Sequence, residues 1–212
     1  MFARLDVLKK KFGFCPTVIY DIGAHEGVWT KDCKSIFPAA TYYQFEANTD
    51  QRGKLHDNPR FEVLGNTDDA PVEYFKSKSA FTTGNSILKE NTDFFRGDAF
   101  YTEERRMKRL DTIILTDSLP SPDFLKLDTQ GSELLILEGA PKCMEHVQII
   151  MLEVSLHCYN EKSPLIYDVL HFMKEHGFVM FDIADLHYIS NVLGQVDLLF
   201  CKPESPYLVK SF

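Results

Sequence analysis

At 212 residues the chain is long enough for one core hiding roughly 70% of its unfolded surface, and no Pro/Ser/Gly-rich linker, repeat or low-complexity run divides it. A net charge of −8 argues against nucleic acid as the main partner, because neutralising phosphates takes a basic face. The five cysteines (Cys15, Cys33, Cys143, Cys158, Cys201) are scattered, odd in number and without a Cys-x-x-Cys pair, which fits a reduced cytoplasmic setting and not a disulfide framework.

The first dozen residues carry charges where a signal peptide would need an apolar core, while Phe2, Leu5, Leu8 and Phe12 suit one face of a short helix lying on a sheet. The longest apolar runs, such as residues 147–152, are too short to cross a bilayer, so the expectation is a soluble protein without a membrane partner. Residues 17–21 read as a strand, 28–37 as a helix stopped by Pro38, 41–46 as a second strand, 50–55 as a short helix and 61–64 as a third strand. Further on come a strand over 123–128, a helix over 132–138 ended by Gly139, and a strand over 147–154 apolar on both faces. A helix opened by Ser163 and Pro164 runs to Gly177, and residues 178–183 and 196–201 are spaced for an antiparallel hairpin. The pattern predicts a Rossmann-like α/β doubly wound sheet, seven-stranded and mostly parallel, with one antiparallel edge strand in a single domain over 1–212.

Residues from about 70 to 116 break the alternation. Residues 72–75 and 109–111 look like short strands, and between them Phe81, Thr82, Thr83, Gly84, Asn85, Ser86, Phe94, Phe95, Arg96, Phe100 and Tyr101 make a polar, aromatic insertion. A loop this long in a compact domain is functional or disordered, and its rings argue against disorder. It is expected to be a hairpin and lid covering the acceptor side of a pocket, leaving cofactor binding to the sheet.

The first strand runs into Asp21-x-Gly23-x-x-x-Gly27. A dinucleotide pyrophosphate calls for Gly-x-Gly-x-x-Gly, and an acid beside it would repel the phosphates. S-adenosylmethionine (SAM) is cationic, so Asp21 and Glu46, the acid ending the second strand, both have partners in its ammonium and its ribose diol. Gly23 and Gly27, with Ala24 and His25 between them, would let the cofactor lie on the backbone, where free N–H groups of the helix N-terminus take its carboxylate. The alternatives are a plain strand-to-helix turn and a solvated strand-end acid. Asp68 and Asp69 are placed to meet the adenine amine, or make an ordinary turn.

Lys126 and Asp128 lie two apart at the end of the fourth strand, on one side of it, where ligands bind in such sheets. Glu153 holds the matching place on the fifth, with His157 four residues on. Asp128 and Glu153 could hold a divalent cation such as Mg²⁺, or act with His157 as a base; the metal-free version is favoured because no third protein ligand stands out. The bland reading has Asp128 capping the next helix and Glu153 paired with Lys126. Glu133 either closes the Gly131 turn or reaches the site. Arg96, Arg105, Arg106, Lys108 and Arg109 either steer an anionic substrate or form a solvated helix face.

Taken together, Asp21-Ile-Gly-Ala-His-Glu-Gly, Phe45-Glu46, Leu110-Asp111, Leu125-Lys-Leu-Asp-Thr-Gln-Gly-Ser-Glu133, Leu137-Glu-Gly-Ala140 and Leu152-Glu153 resemble the FkbM-type SAM-dependent methyltransferases. The resemblance implies a class I methyltransferase fold and O-methylation, commonly of a hydroxyl on a sugar, glycan or natural product. His25 stands where that family often has Asn, and Gln130 where an acid is frequent. A nucleic-acid amino-methyltransferase would show Asn/Asp-Pro-Pro-Tyr where this chain has Asp128-Thr-Gln-Gly, and the glycine spacing disfavours an NAD enzyme. A non-catalytic binding module on the same fold remains open.

Overall fold

The computed structural model describes residues 1–208. Helix α1 (Phe2–Phe12) buries Leu5 and Leu8 as the spacing predicts and ends at Gly13, which takes the left-handed conformation. It is followed by β1 (Val18–Ile22), α2 (Val28–Ile36), β2 (Thr41–Phe45) and a single 3₁₀ turn at Thr49–Gln51, where a longer helix was expected. Then come β3 (Val63–Leu64), β4 (Pro71–Ser77), β5 (Phe100–Lys108) and α3 (Leu110–Thr116). The second half runs β6 (Phe124–Leu127), α4 (Glu133–Glu138), α5 (Pro141–His146), β7 (Ile149–Ser155), α6 (Ile166–Glu175), β8 (Val179–Ile189) and β9 (Val192–Cys201).

The main sheet has six strands in the order β2-β1-β6-β7-β9-β8, and β3-β5-β4 form a separate small sheet. The seven-stranded expectation fails at the third strand. Beside β2 the chain makes only the Phe45–Arg60 bridge before β3 leaves to pair with β5. Asn58 in a left-handed conformation and donorless Pro59 stand just before that bridge, so a longer ladder cannot start there.

The antiparallel strand is also not at the edge. Ser190 and Asn191 both have positive φ, 50° and 65°, which makes a tight reversal whose twist suits a hairpin. It folds β9 back between β7 and β8, antiparallel to both, and leaves β8 outermost. Residues 109–111 are no strand either. Arg109 precedes α3, and both oxygens of the Asp111 carboxylate accept N–H groups, of Lys142 and Cys143, at the start of α5. The helix expected from Ser163 begins at Ile166, where the Asp168 side chain accepts the Leu165 N–H at 2.9 Å.

The sheet is buried on both faces, divided by the strand period of two. Tyr20, Leu125, Ile150 and Leu152 join Leu134, Leu137, Val169 and Met173 on one side. Ile19, Phe124, Ile149 and Met151 join Leu5, Leu8, Cys33 and Ile36 of α1 and α2 on the other. Polar residues concentrate where the parallel strands end.

Candidate functional site

At the C-terminal ends of β1, β2, β6 and β7 lies a cavity of about 360 Å³, the crevice where open α/β sheets bind ligands. Its sheet-side wall includes Ile22, Gly23, Phe45, Glu46, Asp128 and Glu153. Residues 82–87 and Glu90 of the insertion close the opposite side.

Asp21 does not face this space. Its carboxylate is fully buried, accepts the Thr30 hydroxyl at 2.7 Å and stands 3.0 Å from the Lys126 ammonium. Lys126 also donates to the Gly23 carbonyl at 3.1 Å and lies 3.5 Å from Asp128. Burial disfavours the Lys126 charge, but Asp21 and Asp128 outweigh it and hold the ammonium above the ordinary lysine range. The acid expected to meet a cationic ligand thus meets a cation of the protein.

Gly23 and His25 line the cavity, whereas Ala24 and Gly27 are not among its lining residues. Gly23 has φ 76°, and a Cβ there would sit 1.8 Å from the Asp128 carbonyl oxygen, so only glycine lets the β1 turn pass under the β6 turn. The turn's amides are largely committed. Those of Gly23 and Ala24 donate to the Phe45 carbonyl, Gly27 donates to Ala24, and His25 donates to a Glu46 oxygen at 2.7 Å. The expected row of free N–H groups is therefore not offered by these residues.

Glu46 lies in the cavity wall with its second oxygen accepting the Asn48 N–H at 2.7 Å. Two backbone donors fix the carboxylate, and burial raises its pKa against their pull. Asp68 and Asp69 are outside the cavity. Asp68 accepts the Arg109 N–H at 2.9 Å and the Thr112 hydroxyl at 2.7 Å, capping α3, and the Asp69 carbonyl receives Arg106. At that end the lining comes instead from Glu62, Val63 and Leu64.

Asp128 and Glu153 do come together, as the strand ends predict. The Gln130 amide nitrogen bridges them, 3.0 Å from Asp128 and 2.7 Å from Glu153, and Gln195 donates to the same Glu153 oxygen at 2.9 Å. Burial would raise Asp128, but Lys126 and the hydrogen bonds of Glu153 and Gln130 prevail and hold it below the carboxylate range. Glu153 is pushed well above that range by burial, by the charge of Asp128, and by Asp197 and Glu133. The opposite shifts make Asp128 the more acidic and Glu153 the more basic member of the pair. Glu133 takes its structural role, receiving the Thr129 N–H at 2.7 Å and the Gly131 N–H at 3.2 Å.

His157 is exposed and lines a neighbouring hollow, not the cavity. The histidine brought to Glu153 is His187, whose Nε2 lies 2.9 Å from buried Asp197. Ligand atoms of Glu153, His187 and Asp197 all lie within 4.8 Å of one another, one nitrogen and two oxygens with the spacing of a cation site. An acid within the otherwise apolar 196–201 run is the signal that could have marked Asp197; His187 carried none. Tyr159 and Gln195 also line the cavity without having been expected there.

The insertion is bolted down. The Ser86 hydroxyl donates to the carbonyls of Thr129 and Gln130 at 3.0 and 3.2 Å, and Asn91 and Glu161 amides pair with Tyr159 and Lys89 carbonyls at 2.8 Å. Thr82 shares a 2.8 Å hydrogen bond with His25, so the insertion touches the glycine turn as well as the far side of the cavity. Burial lowers the His25 pKa. Arg96, Arg105, Arg106, Lys108 and Arg109 are absent from the described lining; Arg105 donates to the Ala47 carbonyl at 2.8 Å and Arg96 pairs with Asp93 at 2.8 Å.

A glycine turn, a strand-end acid and a carboxyl pair stand together at the switch-point end of a Rossmann-like α/β sheet, a methyltransferase-like fold. A family model, the methyltransferase FkbM domain, matches residues 21–180, and the chain belongs to that family of SAM-dependent methyltransferases. Among solved structures it is similar to methyltransferase FkbM from Methylobacillus flagellatus KT, with 13% identity, TM-score 0.52, and coverage of 92% of this chain and 47% of that one. The chain thus spans about half the length of that protein. It is also similar to magnesium protoporphyrin IX methyltransferase (ChlM) from Synechocystis PCC 6803 with bound SAM, at 9% identity, TM-score 0.53, and 95% and 77% coverage. At such identities the likeness is one of fold. No curated protein matches the sequence. Among the described residues no helix is long and apolar enough to cross a membrane.

Proposed function

We propose that the protein is a SAM-dependent O-methyltransferase whose acceptor is a hydroxyl on an uncharged sugar, glycan or natural product. The observation that carries this reading is the Asp128–Gln130–Glu153 cluster in one cavity with Glu46. The residues fit the cofactor: each Glu46 oxygen accepts one backbone N–H and keeps a lone pair for a ribose hydroxyl, beside the apolar surface of Phe45, Val63 and Leu64. The cavity volume falls in the range of ligand pockets. Bound SAM would supply a methyl group made electrophilic by its sulfonium.

The chain's own residues then have to orient the acceptor and take its proton. Lys126 keeps Asp128 ionised, and the Asp128 charge in turn makes Glu153 a stronger base than a free carboxylate once its proton has left. Gln130 holds the two carboxyls in register, which suits Glu153 to accept the hydroxyl proton. The described lining has five acids, Glu46, Glu62, Glu90, Asp128 and Glu153, and neither Lys nor Arg, which supports an uncharged acceptor over an anionic one. The reading needs no metal at Asp128 and Glu153.

Calorimetric titration with S-adenosylhomocysteine tests the cofactor assignment. Glu46→Ala should weaken binding at least a hundredfold, on the order of 3 kcal/mol for two charge-assisted hydrogen bonds, with Glu46→Gln, which can still accept one, in between. Unchanged affinity in a folded Glu46→Ala protein would defeat it.

A further inference from the structure

The cavity does not close at its outer end. Tyr159 and Ile189, both in its wall, also line a second hollow of about 240 Å³ over the β8–β9 hairpin, with His157, Val192 and Gly194 among its other walls. The hairpin is built to shape that hollow. Its Ser190-Asn191 turn takes two positive φ angles, and a Cβ on Gly194 would stand 2.7 Å from Ile189 Cδ1, so the bare glycine lets the isoleucine fold inward. The same tip exposes Tyr188, Ile189 and Val192 to water, and Leu186 adds to them along β8. Ile189 and Val192 are cross-strand partners and both line the hollow, so exposed apolar surface stands directly beside the ligand cavity, where it suits binding.

The occupant follows from continuity. A ligand the size of an adenosyl group held at Gly23 and Glu46 would fill much of the 360 Å³, leaving limited room by Glu153 for the group that is methylated. The remainder of a larger acceptor has to pass Tyr159 and Ile189, and beyond them the hollow is mostly apolar, with Asn91 and His157 its polar residues. Resting on the methyltransferase reading, we infer that the acceptor is an amphiphile: a hydroxyl-bearing head enters the cavity past Tyr159, and an apolar arm lies in the second hollow along Ile189 and Val192. Gly194 and the hairpin turn then determine acceptor choice without touching the reacting atoms.

The test uses the protein saturated with S-adenosylhomocysteine and titrated with n-alkyl β-glucosides from methyl to octyl, kept below their micelle concentrations. Affinity should rise about twofold to fourfold per methylene, the upper value being that of a fully buried CH₂, until the hollow is filled. Val192→Asp should flatten that series while leaving S-adenosylhomocysteine affinity unchanged, and Val192→Ala should give an intermediate slope. Affinity independent of chain length, or an equal slope in Val192→Asp, overturns the inference. So does sedimentation with phosphatidylcholine vesicles that Val192→Asp abolishes in the absence of a chain-length slope, since the patch would then meet lipid bilayer. Failure of the wild type to bind S-adenosylhomocysteine would strike the methyltransferase reading instead, and the glucoside series run on the free protein would still decide the hollow.

Discussion

The Lys126 ammonium lies 3.0 Å from the Asp21 carboxylate, the two being register partners on paired β1 and β6 and both buried on the face that meets Thr30 of α2. The first acid of the glycine turn and the lysine of β6 are therefore one structural unit. Lys126 continues from it to Asp128, 3.5 Å away, and so links the turn to the proton-handling pair.

Breaking that unit should be costly. Lys126→Met leaves the fully buried Asp21 carboxylate without its cation, and a loss of about 3–5 kcal/mol in urea unfolding is expected. The double change with Asp21→Asn should recover a large part of it, because no charge is then stranded. Equal losses in the single and double variants would show that the pairing is not what matters there.

The insertion should behave as a fixed wall rather than a detachable cover. Thr82 reaches His25 and Ser86 reaches the β6 turn, so deleting residues 80–84 should weaken S-adenosylhomocysteine about tenfold, the worth of one or two hydrogen bonds, and abolish turnover. Cofactor affinity equal to the wild type would return the segment to a role on the acceptor side alone.

Turnover should rise with pH. Glu153 holds its proton well above the usual carboxylate range through burial and the charges of Asp128, Asp197 and Glu133, and only its deprotonated form can accept one from the acceptor. The rise in kcat should therefore fall above the pH of a free carboxylate. Asp128→Asn removes a charge that raises Glu153, so whatever activity remains should rise at lower pH. A shift upward, or none, in a pH–rate profile would contradict the assignment of the proton to Glu153.

Much of this site could be read from strand ends. A period of two puts Lys126 and Asp128 on one side, and matching positions on neighbouring parallel strands bring Glu153 alongside, because parallel register carries sequence position into space. What could not be read depended on long-range pairing. His187 and Asp197 meet through an antiparallel ladder with irregularities near Met180, Ile183 and His187, and its turn lacks the glycine that usually announces a hairpin. His157 does not reach the cavity because the chain follows β9 one residue past Ser155, the Leu156 N–H pairing with the Gly194 carbonyl at 2.8 Å, and then bends, which sets His157 in the neighbouring hollow. Asp68 and Asp111 read as site or strand residues but cap helices, a use of aspartate that depends on which helix folds against it.

Single-turnover methyl transfer by Glu153→Gln at saturating SAM bears on the proton-acceptor role without confusing it with cofactor binding. The amide keeps the shape and an oxygen that can accept from Gln130 or Gln195, but it cannot take a proton. A rate at least a hundredfold below wild type is expected, the scale of a lost general base, with S-adenosylhomocysteine affinity little changed and no effect of chelator on the wild type. A wild-type rate in Glu153→Gln, or wild-type turnover that chelator stops and Mg²⁺ restores, would contradict the metal-free carboxylate pair.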